Sequence, residues 1–299
     1  MTQTPLEEAS IAGRQLLLKR EDVHELGAFK WRGALPVLER YAVDGARAVV
    51  TASTGNHGAA TAWAAKRVGL AAIVYAPATA SRAKLALIED GGAEIRQTGA
   101  DLDEAKEEAR AHASQHGLPL FEDGAEPAQY EGYRAIADEI LAELPEPPAA
   151  IVVPLGNGAL LGGIGLAVAG AAPGTERVGV AAKQAPVMVE SWEAGRPVES
   201  KGSATFADGL AVRVAIPLAV EVLGKVATRM VSVSERKIAL AVGEYSAAGI
   251  RAEGAAAAAL AAVPELEELG DPLVLIVTGR NIDDELFMRA CEHPDSVPD

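Results

Sequence analysis

From residue 16 onward, the chain alternates short apolar runs with longer amphipathic stretches. Strands are predicted at 16–19, 48–51, 71–75, 94–97, 151–154, 178–182, 230–233 and 273–277. Apolar residues at helical spacing predict helices at 31–41, 57–68, 81–90, 101–116, 130–144, 160–169, 187–194, 234–247 and 253–263. This alternation predicts a doubly wound α/β fold with mostly parallel, twisted sheets flanked by helices.

Composition narrows the class of protein. The chain has 299 residues, of which 49% are apolar, which is enough for one or two buried cores. Only 4% are aromatic, so we expect a core of small aliphatic side chains. The formal charge of −15 argues against binding to nucleic acid or to anionic membranes, because both require a basic surface.

The sequence also bears on the cellular location of the protein and on its capacity to bind metal. No run reaches the about 18 apolar residues of a membrane span, and residues 1–10 lack the pattern of a signal peptide, so we expect a cytoplasmic protein. Cys291 is the single cysteine, and it can form neither an internal disulfide nor a Cys-based metal site. The five histidines show no pair at metal-ligand spacing.

Lys30 is the first candidate for chemistry. It lies between Phe29 and Trp31, at the start of a predicted helix. Apolar neighbours and a positive helix end both disfavour an ammonium group, so we expect a lowered pKa, which suits an amine used as a nucleophile. The alternative is a solvated surface lysine, as most lysines are.

Three further stretches have the composition of anion-binding or cofactor-binding loops, and each follows a predicted strand. They are Ser53-Thr54-Gly55-Asn56-His57-Gly58, Gly156-Asn157-Gly158-Ala159 and Thr278-Gly279-Arg280-Asn281. The first two open helices, whose unpaired N–H groups can hold a carboxylate or a phosphate. The alternative for the 53–58 loop is a capped turn, with Ser53 or Asn56 as the cap. The alternative for the 156–159 loop is a dinucleotide-binding loop, which is disfavoured because Leu161 stands at the position of the third glycine.

Together with Lys30, these loops resemble the threonine dehydratase and serine racemase branch of the fold-type II enzymes, which use pyridoxal phosphate (PLP). The resemblance extends from about residue 16 to 283, with its four motifs in the family's order. It implies a two-domain fold like that of the tryptophan synthase β subunit. The large PLP-binding domain would comprise residues 1–47 and 128–299, and the small domain residues 48–127.

The resemblance also implies roles for individual residues. Lys30 would bind PLP covalently and act in catalysis together with Thr54. The loop that binds the substrate carboxylate would comprise Ser53, Thr54, Gly55, Asn56 and His57, with Asn56 also near the cofactor's phenolic oxygen. The other cofactor contacts would be Phe29, Gly156, Asn157, Gly158, Ala159, Leu160, Glu253 and Thr278.

Some of these positions have other interpretations or depart from the family pattern. Glu253 is equally consistent with an acidic residue that interacts with a helix dipole. Asn157 and Ala159 replace two glycines of the family's phosphate loop. Residues 130–133, Tyr-Glu-Gly-Tyr, differ from the Gly-Gln-Gly-Thr that is usual in dehydratases, so the substrate pocket is expected to differ.

The implied reaction is α,β-elimination from a β-hydroxy amino acid of the serine, threonine or 3-hydroxyaspartate type, giving a 2-oxo acid and ammonia. The hydroxyl of Thr278 would face the pyridine nitrogen and could not hold a proton there as a carboxylate does, which favours elimination. Racemisation or β-replacement stays open, since serine racemases carry a serine at the position of Thr54. A catalytically inactive α/β ligand-binding protein is a remote alternative.

The expected partners are a small amino-acid substrate and a second copy of the chain, because homodimers are usual in such families. No metal is expected. Relatives near serine racemase bind a divalent cation through two acidic residues, and Lys183 and Val189 occupy those positions here. An ammonium group cannot coordinate magnesium or calcium, although Lys183 could replace the ion by contacting Asp208 or could point to solvent.

Overall fold

In a computed structural model of the chain, residues 3–80, 82–200 and 202–297 are described. The strands are β1 Leu6–Ile11, β2 Arg14–Arg20, β3 Ala48–Ala52, β4 Ala71–Ala76, β5 Glu94–Gln97, β6 Ala150–Pro154, β7 Glu176–Ala182, β8 Arg229–Val233 and β9 Leu273–Val277. The helices are α1 Trp31–Val43, α2 Asn56–Val68, α3 Arg82–Asp90, α4 Leu102–His116, α5 Pro127–Glu143, α6 Ala159–Ala171, α7 Val187–Ala194, α8 Pro217–Val226, α9 Glu235–Ala247, α10 Gly254–Ala261 and α11 Asp284–Glu292.

The chain divides into two compact units. The larger unit comprises Met1–Ala28 and Tyr133–Asp299, and the smaller unit comprises Phe29–Gly132. The smaller unit starts before and ends after the small domain expected at 48–127. The exact domain boundaries stay a prediction.

The larger unit is built on a six-stranded sheet with the strand order β1-β2-β9-β6-β7-β8. Only β1 runs antiparallel to its neighbour, and the remaining pairs are parallel. Strands β6 and β9 are buried along their whole length, as expected for central strands covered on both faces. Their carboxyl ends, where α/β proteins commonly bind ligands, carry two of the predicted loops.

The smaller unit is built on the parallel sheet β3-β4-β5. An isolated parallel bridge between Val50 and Leu120 adds a short segment beside β3. Helix α4 packs on β3 and β4, and helix α2 packs on α1, α3 and β4. Both units therefore have the predicted α/β architecture with mostly parallel sheets.

Helix α10 shows how small side chains build the core of the larger unit. Every residue from Gly254 to Ala261 is buried, and seven of these eight residues are glycine or alanine. The helix packs against α9, β6 and β9. Because these side chains are short, the helix backbone can approach its neighbours closely, as the low aromatic content suggested.

The predicted strands and helices are all found within the described residues, with bounds that differ by a few residues. The predicted helix 81–90 begins at Ser81, which lies outside the described residues, and α3 begins at Arg82. Three elements were not predicted, namely β1, α8 and α11. Among the described residues, no helix is long and apolar enough to cross a membrane.

Candidate active site

Lys30 lies in the smaller unit, directly before the first residue of α1. Its backbone carbonyl accepts a hydrogen bond from the N–H of Ala34, so the lysine is held on the first turn of the helix. The ammonium nitrogen lies 4.9 Å from the centre of the Phe29 ring. Only 17% of the Lys30 side chain is exposed. The predicted position at a helix start is therefore found, in largely buried surroundings.

The surroundings of Lys30 differ from the expectation in one respect. The Nζ atom donates a hydrogen bond of 2.6 Å to Oδ2 of Asp123, so its nearest partner is a carboxylate and its setting is not purely apolar. Asp123 is not among the site residues predicted from the sequence. The available signal was the apolar run 118–121 followed by acidic residues and Gly124, a pattern typical of the end of a short strand.

The loop at 53–58 joins β3 to α2 in the smaller unit. Gly55 occupies the N-cap position. The alternative that Ser53 or Asn56 is the N-cap residue is therefore wrong. The hydroxyl of Ser53 instead accepts a hydrogen bond from the Gly55 N–H. Backbone N–H groups at the start of a helix such as α2 are suited to an anion such as a carboxylate.

His57 lies in the first turn of α2 and is buried. Its Nε2 atom is 3.0 Å from the hydroxyl of Thr51, and its ring packs edge-on against Phe121. Burial lowers the pKa of His57, and the nearby carboxylate of Asp123 opposes this effect only in part. These contacts are those of a packed, buried histidine, and a neutral ring faces Asp123.

The loop at 156–159 joins β6 to α6 in the larger unit. Gly158 has a φ of +91°, which a residue with a side chain adopts only with strain. The side chain of Asn157 accepts a hydrogen bond from the N–H of Ala159. Leu160 follows in the first turn and is buried. The N-terminus of α6 and this small-residue turn form the arrangement expected of a phosphate-binding loop.

Close backbone contacts link several loops of the larger unit. A Cβ atom added to Gly156 would lie 2.5 Å from the carbonyl oxygen of Gly209, so only glycine allows this backbone contact. A Cβ atom on Gly279 would lie 2.7 Å from a carboxylate oxygen of Glu253. The backbone N–H of Glu253 also donates to the carbonyl of Gly279. Glu253 is thus fixed beside the residue that follows Thr278.

Thr278 lies directly after β9 and is buried, with 2% of its surface exposed. Its hydroxyl has no hydrogen-bond partner among the described residues. Gly279, the next residue, forms a bridge with Ala28, which lies two residues before Lys30 in the chain. An unpaired buried hydroxyl is costly, and a ligand atom that bonds to it would remove this cost.

The structure thus groups the predicted residues within each unit. In the smaller unit, Lys30 and His57 are joined through Asp123, with the start of α2 nearby in the chain. In the larger unit, the segments around Gly156, Gly209, Glu253 and Gly279 are in contact. Lys183, directly after β7, is exposed, and no group of three or more metal-ligating side chains occurs among the described residues.

Comparison with known proteins identifies the family. Residues 1–279 match the model of the pyridoxal-phosphate dependent enzymes. The chain therefore belongs to the family of pyridoxal-phosphate dependent enzymes. The predictions of the family, the fold class, the PLP cofactor and a PLP-dependent lyase are confirmed.

Three relatives place the chain within this family. It is 32% identical to the L-threonine ammonia-lyase of Thermotoga maritima, over 94% of this chain and 71% of that protein. The processed threonine deaminase isoform 2 of Solanum lycopersicum has a TM-score of 0.91 at 27% identity, covering 97% of this chain and 83% of that one. Maize serine racemase has a TM-score of 0.87 at 25% identity, covering 97% and 91% of the two chains.

Proposed function

We propose that this chain is an ammonia-lyase that removes the β-hydroxyl group of a serine-, threonine- or 3-hydroxyaspartate-type amino acid and releases a 2-oxo acid and ammonia. The observation that carries the proposal is the buried, unpaired hydroxyl of Thr278. A hydroxyl at this position favours elimination over chemistry that needs a long-lived carbanion. The similarity to L-threonine ammonia-lyase supports the same reaction class.

The described residues fit PLP. The cofactor, when bound, acts as an electron sink for the amino acid's Cα. The N-terminus of α6, with Asn157, Gly158, Ala159 and Leu160, would hold the phosphate. Thr278 would offer its unpaired hydroxyl to the pyridine nitrogen, and Glu253 would lie near the ring.

The proposed site residues of the smaller unit would attach PLP covalently and bind the amino-acid substrate. Lys30 would bind PLP through Nζ, in contact with Phe29, and its freed amine would then take the Cα proton. The loop that leads into α2, comprising Ser53, Thr54, Gly55, Asn56 and His57, would bind the substrate carboxylate through backbone N–H groups. These roles rest on the resemblance and on the local geometry described above.

Racemisation is the second candidate function, because Thr54 places a hydroxyl in the substrate loop where serine racemases carry a serine. The structural similarity to maize serine racemase is consistent with it. A panel of amino acids scored for both 2-oxo acid release and formation of the opposite enantiomer distinguishes the two. We expect 2-oxo acid release to dominate for at least one β-hydroxy amino acid. Racemisation without 2-oxo acid release from any substrate would contradict the proposed elimination.

The attachment site is tested with Lys30→Ala. We expect the PLP-loaded variant to lose the borohydride-reducible protein–cofactor bond and all turnover, while keeping its fold. Lys66→Ala is the matched control, because Lys66 is an exposed lysine of α2 in the same unit. Mass spectrometry of the reduced, digested protein should find the cofactor on the peptide that contains Lys30. Full labelling of Lys30→Ala would mean that another lysine carries PLP.

We also propose that the protein is a homodimer, as the family resemblance implies, and that it is cytoplasmic. Sedimentation of the purified protein should give twice the chain mass of 30.8 kDa. A monomeric mass across the micromolar range would contradict the dimer.

A further inference from the structure

Asp123 is a carboxylate that none of the proposed roles uses, although it directly contacts the amine of Lys30. Its Oδ2 atom accepts the 2.6 Å hydrogen bond from Lys30 Nζ. Its Oδ1 atom lies 3.7 Å from Nδ1 of His57. Only 23% of the Asp123 side chain is exposed. A carboxylate so enclosed needs a cation or several hydrogen-bond donors close to it.

The start of α5 holds Asp123 in place. The side-chain amide of Gln129 donates a 2.6 Å hydrogen bond to Oδ1 of Asp123, and its oxygen accepts one of 2.7 Å from the N–H of Gly124. The hydroxyl of Tyr130 donates to the carbonyl of Gly124. These bonds fix the residue that follows Asp123 as well as the carboxylate itself. Hydrogen bonds therefore fix both the Asp123 carboxylate and the loop that carries it.

The electrostatics indicate that Asp123 is ionised. Burial alone would raise its pKa, but the positive charge of Lys30, together with the hydrogen bonds from Lys30 and Gln129, holds the pKa of Asp123 well below its usual range. Because burial lowers the pKa of His57, the imidazole is a poor substitute for the ammonium of Lys30. Lys30 is thus the main cationic partner of this carboxylate.

Covalent attachment removes that partner, because the amine of Lys30 is then committed to the cofactor. The carboxylate keeps the amide of Gln129, but it loses the ammonium group that held its charge. An amino-acid substrate brings one ammonium group of its own. A carboxylate within hydrogen-bond distance of Nζ lies where that group must arrive, since the substrate amine takes the place of Nζ.

We propose that Asp123 is a positioning residue that pairs with the amine of Lys30 when that amine is free and with the amino group of the arriving substrate when Lys30 is engaged. This inference rests on the proposed covalent role of Lys30. It does not depend on whether the later chemistry is elimination or racemisation. The pairing predicts that Asp123 contributes to the binding of amino acids and not to the binding of acids that lack an amine.

The test compares alanine with propionate on the PLP-loaded protein. Alanine has no β-leaving group, and propionate is the same acid without the amine, so calorimetry reports binding without elimination. Asp123→Asn keeps the shape and removes the charge. We expect it to weaken alanine binding about tenfold or more, the usual effect of losing a hydrogen bond between charged groups. Propionate binding should change by less than about twofold on the same reasoning.

Glu122→Gln is the matched control, because Glu122 is the neighbouring acid and pairs with Arg110, at 3.7 Å. It should leave both affinities unchanged. If Asp123→Asn does not fold, Gln129→Met removes one hydrogen bond to the same carboxylate and should weaken alanine binding selectively. An equal loss for alanine and propionate, or no loss for alanine, overturns the proposal.

The outcomes also separate this inference from the proposed function. If borohydride reduction labels a lysine other than Lys30, both the covalent role of Lys30 and the role of Asp123 lose their basis. Labelling of Lys30 together with equal affinities for alanine in Asp123→Asn and the unaltered protein would overturn only the role of Asp123. Selective loss of alanine binding in a protein that releases no 2-oxo acid would support Asp123 and contradict the lyase reaction.

Discussion

Gly132 in helix α5 is in closer contact with helix α1 than any other residue type would allow. A Cβ atom added at Gly132 would lie 2.0 Å from the carbonyl oxygen of Arg32 and 3.0 Å from Cγ of Pro36. Arg32 lies in the first turn of α1, two residues after Lys30. Pro36 has no N–H to donate to the carbonyl four residues before it, so the helix surface that faces Gly132 is unusual at this point.

The substitution Gly132→Ala therefore has two opposing effects. Alanine favours the helical conformation by about 1 kcal/mol relative to glycine. The added methyl group must move about 1 Å or more away from a backbone oxygen, and overpacking of this kind typically costs about 1–3 kcal/mol and occasionally more. Because the obstacle is backbone and not the end of a flexible side chain, we expect the clash to dominate and the variant to be less stable.

Urea unfolding measures this balance. With a slope of about 1–3 kcal/mol per molar urea, a net loss of this size lowers the midpoint by about 1 M. Gly224→Ala is the control, since Gly224 lies in helix α8 and an added Cβ atom would meet nothing within 4 Å. The control should be neutral or slightly stabilising. If Gly132→Ala unfolds at the same or a higher urea concentration than the unaltered protein, the reasoning about this contact is refuted.

Two further predictions concern Thr278 and metal ions. Thr278→Val should stabilise the PLP-free protein by about 1 kcal/mol, because it removes an unpaired buried hydroxyl, and should weaken PLP binding in a titration, whereas Thr278→Ser should leave PLP affinity nearly unchanged. Unaltered PLP affinity in Thr278→Val would argue against a contact with the cofactor. Activity should be insensitive to EDTA and to added magnesium, since the family resemblance implies that Lys183 replaces an acidic metal ligand of the serine racemases. A severalfold loss with EDTA that magnesium restores would show that other oxygens bind a metal.

The fold was predictable wherever the hydrophobic pattern is strong. Strand β9 and helix α7 have the predicted bounds because each is a clear apolar or amphipathic run between polar segments. Strand β1 was missed because it is an edge strand in which half of the residues are polar, and pairing with β2 stabilises it. Helix α11 is short and highly charged, so tertiary packing against α9 decides its structure more than its pattern does.

The candidate site was predictable only in part, for a different reason. Loops such as 156–159 carry a local signature, because glycine and a following helix are visible in any short window of sequence. Asp123 has no such signature, and 93 positions separate it from Lys30 in the chain. Its contact with Lys30 depends on how the segment after Leu120 is placed beside β3, which periodicity does not determine.

The burial of helix α10 on all sides has a consequence for how this protein can diverge. Seven of its eight residues are alanine or glycine, so Leu260 is the one large side chain of α10 that could be shortened to open new space. Most substitutions at the other seven positions add volume, and an added methylene in a tight core typically costs about 1–3 kcal/mol. Changes in substrate preference are therefore expected mainly in loop residues such as those around Asp123. The amino-acid sequence of α10 should change very little as related proteins evolve.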